Sequence, residues 1–177
     1  MDAEVLKNTG LGHFNADRYS EAATAFDQAA LAFEAAGRSA DAAEMRNNLC
    51  VVKMSQDDFQ GALAAVEGTE AVFAAAGDPR REAQAIANRA ACYEGLGRVE
   101  DALQTYQRAI DLLGDIGESD TRAACYKRMS GLQVKSGQQL QALASMRSGL
   151  DLTDKPSMRE RMLKGMLDKA VKGLGMK

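Results

Sequence analysis

Tryptophan is absent from this 177-residue chain, histidine occurs once, and aromatic residues make up only 5 %. A single histidine, His13, leaves no His-rich metal site and no His-paired catalytic relay elsewhere in the chain. Two prolines remove most of the punctuation that would interrupt helices, and alanine is abundant. Three cysteines, odd in number and without close spacing, give no disulfide framework and suit a reducing, cytoplasmic setting. Positive charge is not in excess: 22 basic against 25 acidic residues give a net charge of −3. Nucleic-acid binding rests on concentrated Lys and Arg, so no nucleic-acid partner is expected. The longest apolar runs fall far short of the roughly 20 residues that span a bilayer. The N-terminal MDAEVLKNTG also lacks a charged-then-apolar targeting segment.

What the chain has is a repeat. Sliding the sequence by 40 residues aligns it without gaps, bringing Ala22, Ala62, Ala102 and Ala142 onto one phase. Gly37, Gly77 and Gly117 share a second phase, and Phe26, Val66, Tyr106 and Met146 a third. Ala23, Leu63, Leu103 and Leu143 share a fourth, and Phe33, Phe73 and Leu113 a fifth. Within each period lie two helical stretches. Ala102, Leu103, Tyr106, Ala109, Ile110 and Leu113 keep the 3/4 spacing of one helical face. Gly97 and Gly117 fall where helices end, and Ser39, Pro79 and Ser119 suit helix starts, the serines as N-caps. The pattern predicts helices at 2–16, 19–36, 39–56, 59–76, 79–96, 99–116, 119–136 and 139–153. Four hairpins result, at 1–37, 38–77, 78–117 and 118–154. After the break at Asp154–Ser157, residues 155–177 add a ninth helix as a cap, with Met162, Leu163, Met166, Leu167, Ala170, Val171 and Leu174 on one face.

The run Ala90…Tyr93…Leu96–Gly97…Ala102…Tyr106…Ala109 resembles the tetratricopeptide repeat family in its 40-residue form, and the resemblance spans essentially the whole chain. His13 and Gln133 stand where an aromatic is usual. The resemblance implies an all-α fold, a right-handed superhelical solenoid of about four hairpins. It also implies a non-enzymatic interaction adaptor, as in kinesin light chains, polarity adaptors, vesicle-fusion attachment proteins and many bacterial regulators. In such arrays the first helix of each repeat lines a concave groove. One position there carries Asn8, Asn48 and Asn88, with Arg128 in the fourth repeat. An asparagine offers one acceptor and two donors, which suits the main chain of an extended partner peptide, and asparagine ladders in family members hold peptide in this way. The other use of such residues is a bond to the neighbouring repeat or to local backbone. Lys7, Asn47 and Lys127 precede the ladder by one residue. Lys127, Arg128 and Lys164 make the C-terminal end basic, although Asp168 opposes them. The carboxylate clamp used for chaperone tails cannot be assembled, because Gln84 and Asn88 stand where it needs basic residues.

Several residues look chemical without forming a site. Cys50, Cys92 and Cys125 lie on first helices and are expected in the core. Gly10/Gly12 and Gly95/Gly97 lack the preceding strand of a phosphate loop. Asp57/Asp58 and Glu100/Asp101 suit turns and helix starts. No catalytic residue, metal site or cofactor is expected. From Asp154 to Lys177 seven basic residues face three acidic ones, and this segment holds four of the nine methionines. A basic amphipathic helix of this kind can serve a membrane or partner contact, or a homodimer through Leu167, Val171 and Leu174. Two alternatives to the peptide adaptor stay open: an assembly subunit acting through outer faces and the end helix, and a regulatory domain of a larger protein.

Overall fold

The computed structural model describes residues 2–154 and 156–173, the side chains of 170–172 excepted. Among the described residues the chain forms ten α-helices and no strand. They are α1 (Ala3–Asn15), α2 (Tyr19–Ala35), α3 (Ser39–Ser55), α4 (Phe59–Val66), α5 (Thr69–Ala75), α6 (Pro79–Gly95), α7 (Val99–Asp115), α8 (Ser119–Lys135), α9 (Gln139–Asp151) and α10 (Met158–Gly173). Their ends follow the sequence pattern within a residue or two, with one exception. The stretch 59–76 is two helices, because Glu67 is extended and Gly68 adopts a left-handed φ of 76°. Thr69 restarts the helix and its buried hydroxyl donates to the Val66 carbonyl at 2.8 Å. Phe73 still reaches the core beyond the break.

The turns explain why the period is so regular. A left-handed residue recurs every twenty positions, at Asp17, Gly37, Asp57, Gly77, Gly97, Gly117 and Gly137. Each closes a helix by donating its N–H back into the last turn, so each helix-plus-turn is one half-repeat. Ser39 and Ser119 are first helical residues rather than caps. Arg38 and Glu118 hold the N-cap positions, with no side-chain cap. Asp58 and Asp78 do cap, accepting from the Gly61 and Arg81 amides, and Pro79 opens α6. Asp57, expected at a turn or helix start, is the left-handed turn residue.

The helices group into two compact units, residues 1–105 and 106–177. In the first, α2 packs on α1 and α3, and α6 on α3, α4 and α5. Phe26, Phe33, Met45 and Val52 are among the enclosed side chains around α1–α3, and Cys50, Cys92, Val66 and Phe73 among those around α3–α6. Burying a phenylalanine contributes roughly 2–3 kcal/mol, so the 40-residue columns are also the energetic core. In the second unit α9 packs on α8 and α10 on α9. Ser157 and Glu160 close a capping box at the start of α10: the Ser157 amide donates to Glu160 Oε2 at 2.6 Å and the Glu160 amide to Ser157 Oγ at 3.2 Å. The Ser157-x-x-Glu160 spacing is itself a sequence signal for this helix start.

Candidate functional site

In the first unit the first helices of successive hairpins are α1, α3 and α6, and one carboxylate ties all three together. Lys7 Nζ lies 2.7 Å from Glu44 Oε1, and Arg81 lies 3.1 Å from Glu44 Oε2. These side chains are half-buried, and such pairs are each worth at most about 1 kcal/mol. Lys7, expected to meet a peptide, is therefore committed to Glu44.

The asparagines divide into two kinds. Asn47 is only 6 % exposed, and its Oδ1 accepts from Asn88 Nδ2 at 3.0 Å. Asn47 is thus removed from the candidate surface, since its side chain lies inside the α3–α6 contact. Asn88 keeps its carbonyl oxygen available, held in one orientation by the bond from its own amide. Asn8 is exposed and Asn48 half-buried, and among the described residues neither side chain makes a hydrogen bond. Leu11 and Val51, one turn on, add exposed and half-buried apolar surface beside them. Gln84 is exposed on α6. The face therefore offers amide groups beside short apolar ones, with its charges already paired.

In the second unit, Lys127 and Arg128 are exposed on α8. Lys164 is not a free member of a basic cluster: its Nζ lies 2.5 Å from Asp151 on α9. Asp168 pairs with Arg147 at 3.0 Å. Between α8, α9 and α10 lies a mostly apolar cleft of about 450 Å³, lined by Ala123, Met146, Leu150 and Leu163, with Lys127 and Glu160 in its wall. The Ser157 hydroxyl and amide, with a smaller pull from Lys127, hold the Glu160 carboxyl below its ordinary range. Leu167 is 4 % exposed, so its side chain packs within its own chain rather than facing a second copy. The Val171 side chain and Leu174 lie outside the described residues.

The cysteines sit in the interior, as their pattern predicted. Cys50 and Cys92 bring their Sγ atoms within 3.6 Å, both fully enclosed. The hydrogen bond with Cys92, then burial, pushes the Cys50 thiol far up. Burial pushes the Cys125 thiol up to about 11, against a smaller pull from Arg128. Among the described residues no group of three or more His, Cys, Asp or Glu side chains could hold a metal ion. No helix among them is long and apolar enough to cross a membrane.

Residues 41–115 match the family model described as tetratricopeptide repeat. No curated protein matches the chain in sequence. Among solved structures, aspartyl phosphate phosphatase F from Bacillus subtilis superposes with a TM-score of 0.81 at 14 % identity, over 97 % of this chain and 48 % of its own. The Rap conjugation gene regulator of the plasmid pLS20, solved in complex with the Phr* peptide, gives 0.71 at 15 % identity, over 96 % and 48 %. MamA from Desulfovibrio magneticus RS-1, residues 41 to its end, gives 0.67 at 21 % identity, over 87 % and 78 %. The chain thus spans about half the length of the first two, and at these identities the likeness is one of fold. The resemblance to the tetratricopeptide repeat family is shown, and the fold class is the all-α helical-repeat solenoid expected from the sequence.

Proposed function

We propose that the chain is a non-enzymatic protein-interaction adaptor, holding an extended segment of a partner protein on the face shared by α1, α3 and α6. The observation that carries this reading is the contrast among the asparagines. Asn47 is buried and bonded, whereas Asn8 and Asn48 have no partner of their own among the described residues. Asparagine is a mediocre helix former, so two of them left unbonded at one register position are best explained by something they bind. An amide can give and take one hydrogen bond each with the main chain of an extended peptide, whatever its side chains. The ladder then comprises Asn8, Asn48 and the carbonyl of Asn88. That a structure of this fold was solved with a peptide bound supports the same reading. Three unbridged cysteines fit a reducing, cytoplasmic setting.

The test is to select binders from a displayed library of unstructured peptides, then measure the selected peptides against wild type and Asn8→Ala/Asn48→Ala. Both proteins should show the same helical content and melting temperature, with affinity at least tenfold weaker in the variant. Peptides that bind both proteins equally would refute the asparagine ladder.

A further inference from the structure

Helix α10 is apolar on two sides. Its inward side carries Leu167, buried, and Leu163 and Glu160, which line the cleft against α8 and α9. Its outward side carries Met158, Met162 and Met166, which are 73 %, 63 % and 67 % exposed. Residues four apart in a helix lie one above another, so these methionines form a continuous stripe, roughly opposite Leu167. Gly165 borders the stripe, and a Cβ added there would meet nothing within 4 Å, leaving room for another backbone to approach. Two periods before Met166 stands Ile86, and three periods before Met162 stands Ala42, each 2 % exposed. What α10 leaves bare, the earlier repeats cover.

The charges beside the stripe say what fits it. Both acidic residues of α10 are already engaged by this chain, Glu160 in the capping box and Asp168 with Arg147. Among its basic residues Lys164 is paired with Asp151. Arg159, Arg161 and Lys169 are exposed, and among the described residues none has an acidic partner. The unpaired charge flanking the methionines is therefore all positive. A second copy of α10 laid on this stripe would set like charges against one another. We infer that the outward side of α10 docks an acidic amphipathic helix of a partner protein, its apolar ridge on Met158, Met162 and Met166 and its carboxylates on Arg159, Arg161 and Lys169. Methionine suits this role because its unbranched thioether adapts to the ridge it meets. This inference uses no residue of the asparagine ladder, so either reading can fail without the other.

The test uses the full chain and a synthetic 18-residue helical peptide, with leucine at i, i+4, i+7 and i+11 and glutamate beside them, followed by fluorescence anisotropy. The control peptide carries lysine in place of every glutamate. The acidic peptide should bind wild type. It should bind at least tenfold more weakly to Arg159→Glu/Arg161→Glu and to Met162→Glu, with melting temperatures unchanged because these side chains are exposed. The lysine peptide should bind the charge-reversed variant better than wild type. The inference is overturned if the acidic peptide does not bind, or if both peptides bind alike. It is also overturned if sedimentation shows a dimer that Met162→Glu dissociates, or if phosphatidylserine vesicles bind through the same residues while the peptide does not.

Discussion

Asn88 donates its side-chain amide to Asn47 at 3.0 Å, joining residues 41 apart in a chain whose repeat is 40. The offset is general in the first unit: Cys50 meets Cys92 at a separation of 42, and Glu44 bridges Lys7 and Arg81 at separations of 37. Residues on the same phase occupy the same place in successive hairpins and so lie side by side without pairing. Residues that pair belong to neighbouring phases.

Removing the buried partner should cost more than removing the exposed one. Asn47→Ala strands the Asn88 amide in the α3–α6 contact, with an expected loss of about 1–2 kcal/mol in urea unfolding. Asn48→Ala should stay within about 0.5 kcal/mol of wild type. Equal losses would place both asparagines in the same environment.

Gly10 and Gly12, two residues apart on α1, should respond oppositely to alanine. A Cβ at Gly10 would lie 2.7 Å from the Phe26 ring, whereas one at Gly12 would meet nothing within 4 Å. Gly10→Ala is expected to destabilise by about 1–3 kcal/mol through overpacking. Gly12→Ala should stabilise by up to about 1 kcal/mol through helix propensity. Thermal unfolding of both variants distinguishes the outcomes.

Asp57 takes the left-handed turn at φ 58° where five of the seven equivalent turns use glycine. The left-handed conformation strains a residue with a Cβ by roughly 1–2 kcal/mol, part of which asparagine and aspartate recover locally. Asp57→Gly should therefore raise stability, by about 1 kcal/mol at most, in the same unfolding assay. A fall would mean that the carboxylate contributes more than the strain removes.

The Cys125 thiol gives the chain an alkaline limit. The folded Cys125 titrates at about 11, pushed up mainly by burial, against an ordinary value of 9.0. Its stabilising effect is fully present below pH 9 and is lost as pH rises from there through 11, because the unfolded chain releases the proton first. Cys125→Ala should flatten the decline of stability across that window relative to wild type. At neutral pH all three cysteines should react with a thiol reagent only as fast as the protein opens.

How much of this was legible in the sequence follows from what a period can report. The 40-residue columns located the core, because Ala22, Phe26, Phe33 and their equivalents are buried in each hairpin, except Met146, which is half-buried and lines the cleft. They also placed nearly every helix end, since the left-handed turns repeat with the chain. The break at Gly68 was hidden because Thr69–Ala75 resumes the pattern in phase. Contacts between hairpins were not legible, because they run at 37, 41 and 42 rather than 40. So Asn47 looked like a neighbour of the ladder when it is buried beneath it. Lys7 and Lys164 looked like free cations when Glu44 and Asp151 had already taken them. Leu167 and the methionines read as one broad face, and only packing separates the buried side from the open one.

The most direct test of the central claim is a titration followed by the side-chain NH₂ resonances of the asparagines in ¹⁵N-labelled protein. The titrant is a peptide selected from the displayed library. The account predicts that Asn8 and Asn48 shift progressively on binding, while the Asn47 pair, buried and bonded, moves little. Shifts confined to α10, with Asn8 and Asn48 unmoved at saturation, would contradict it.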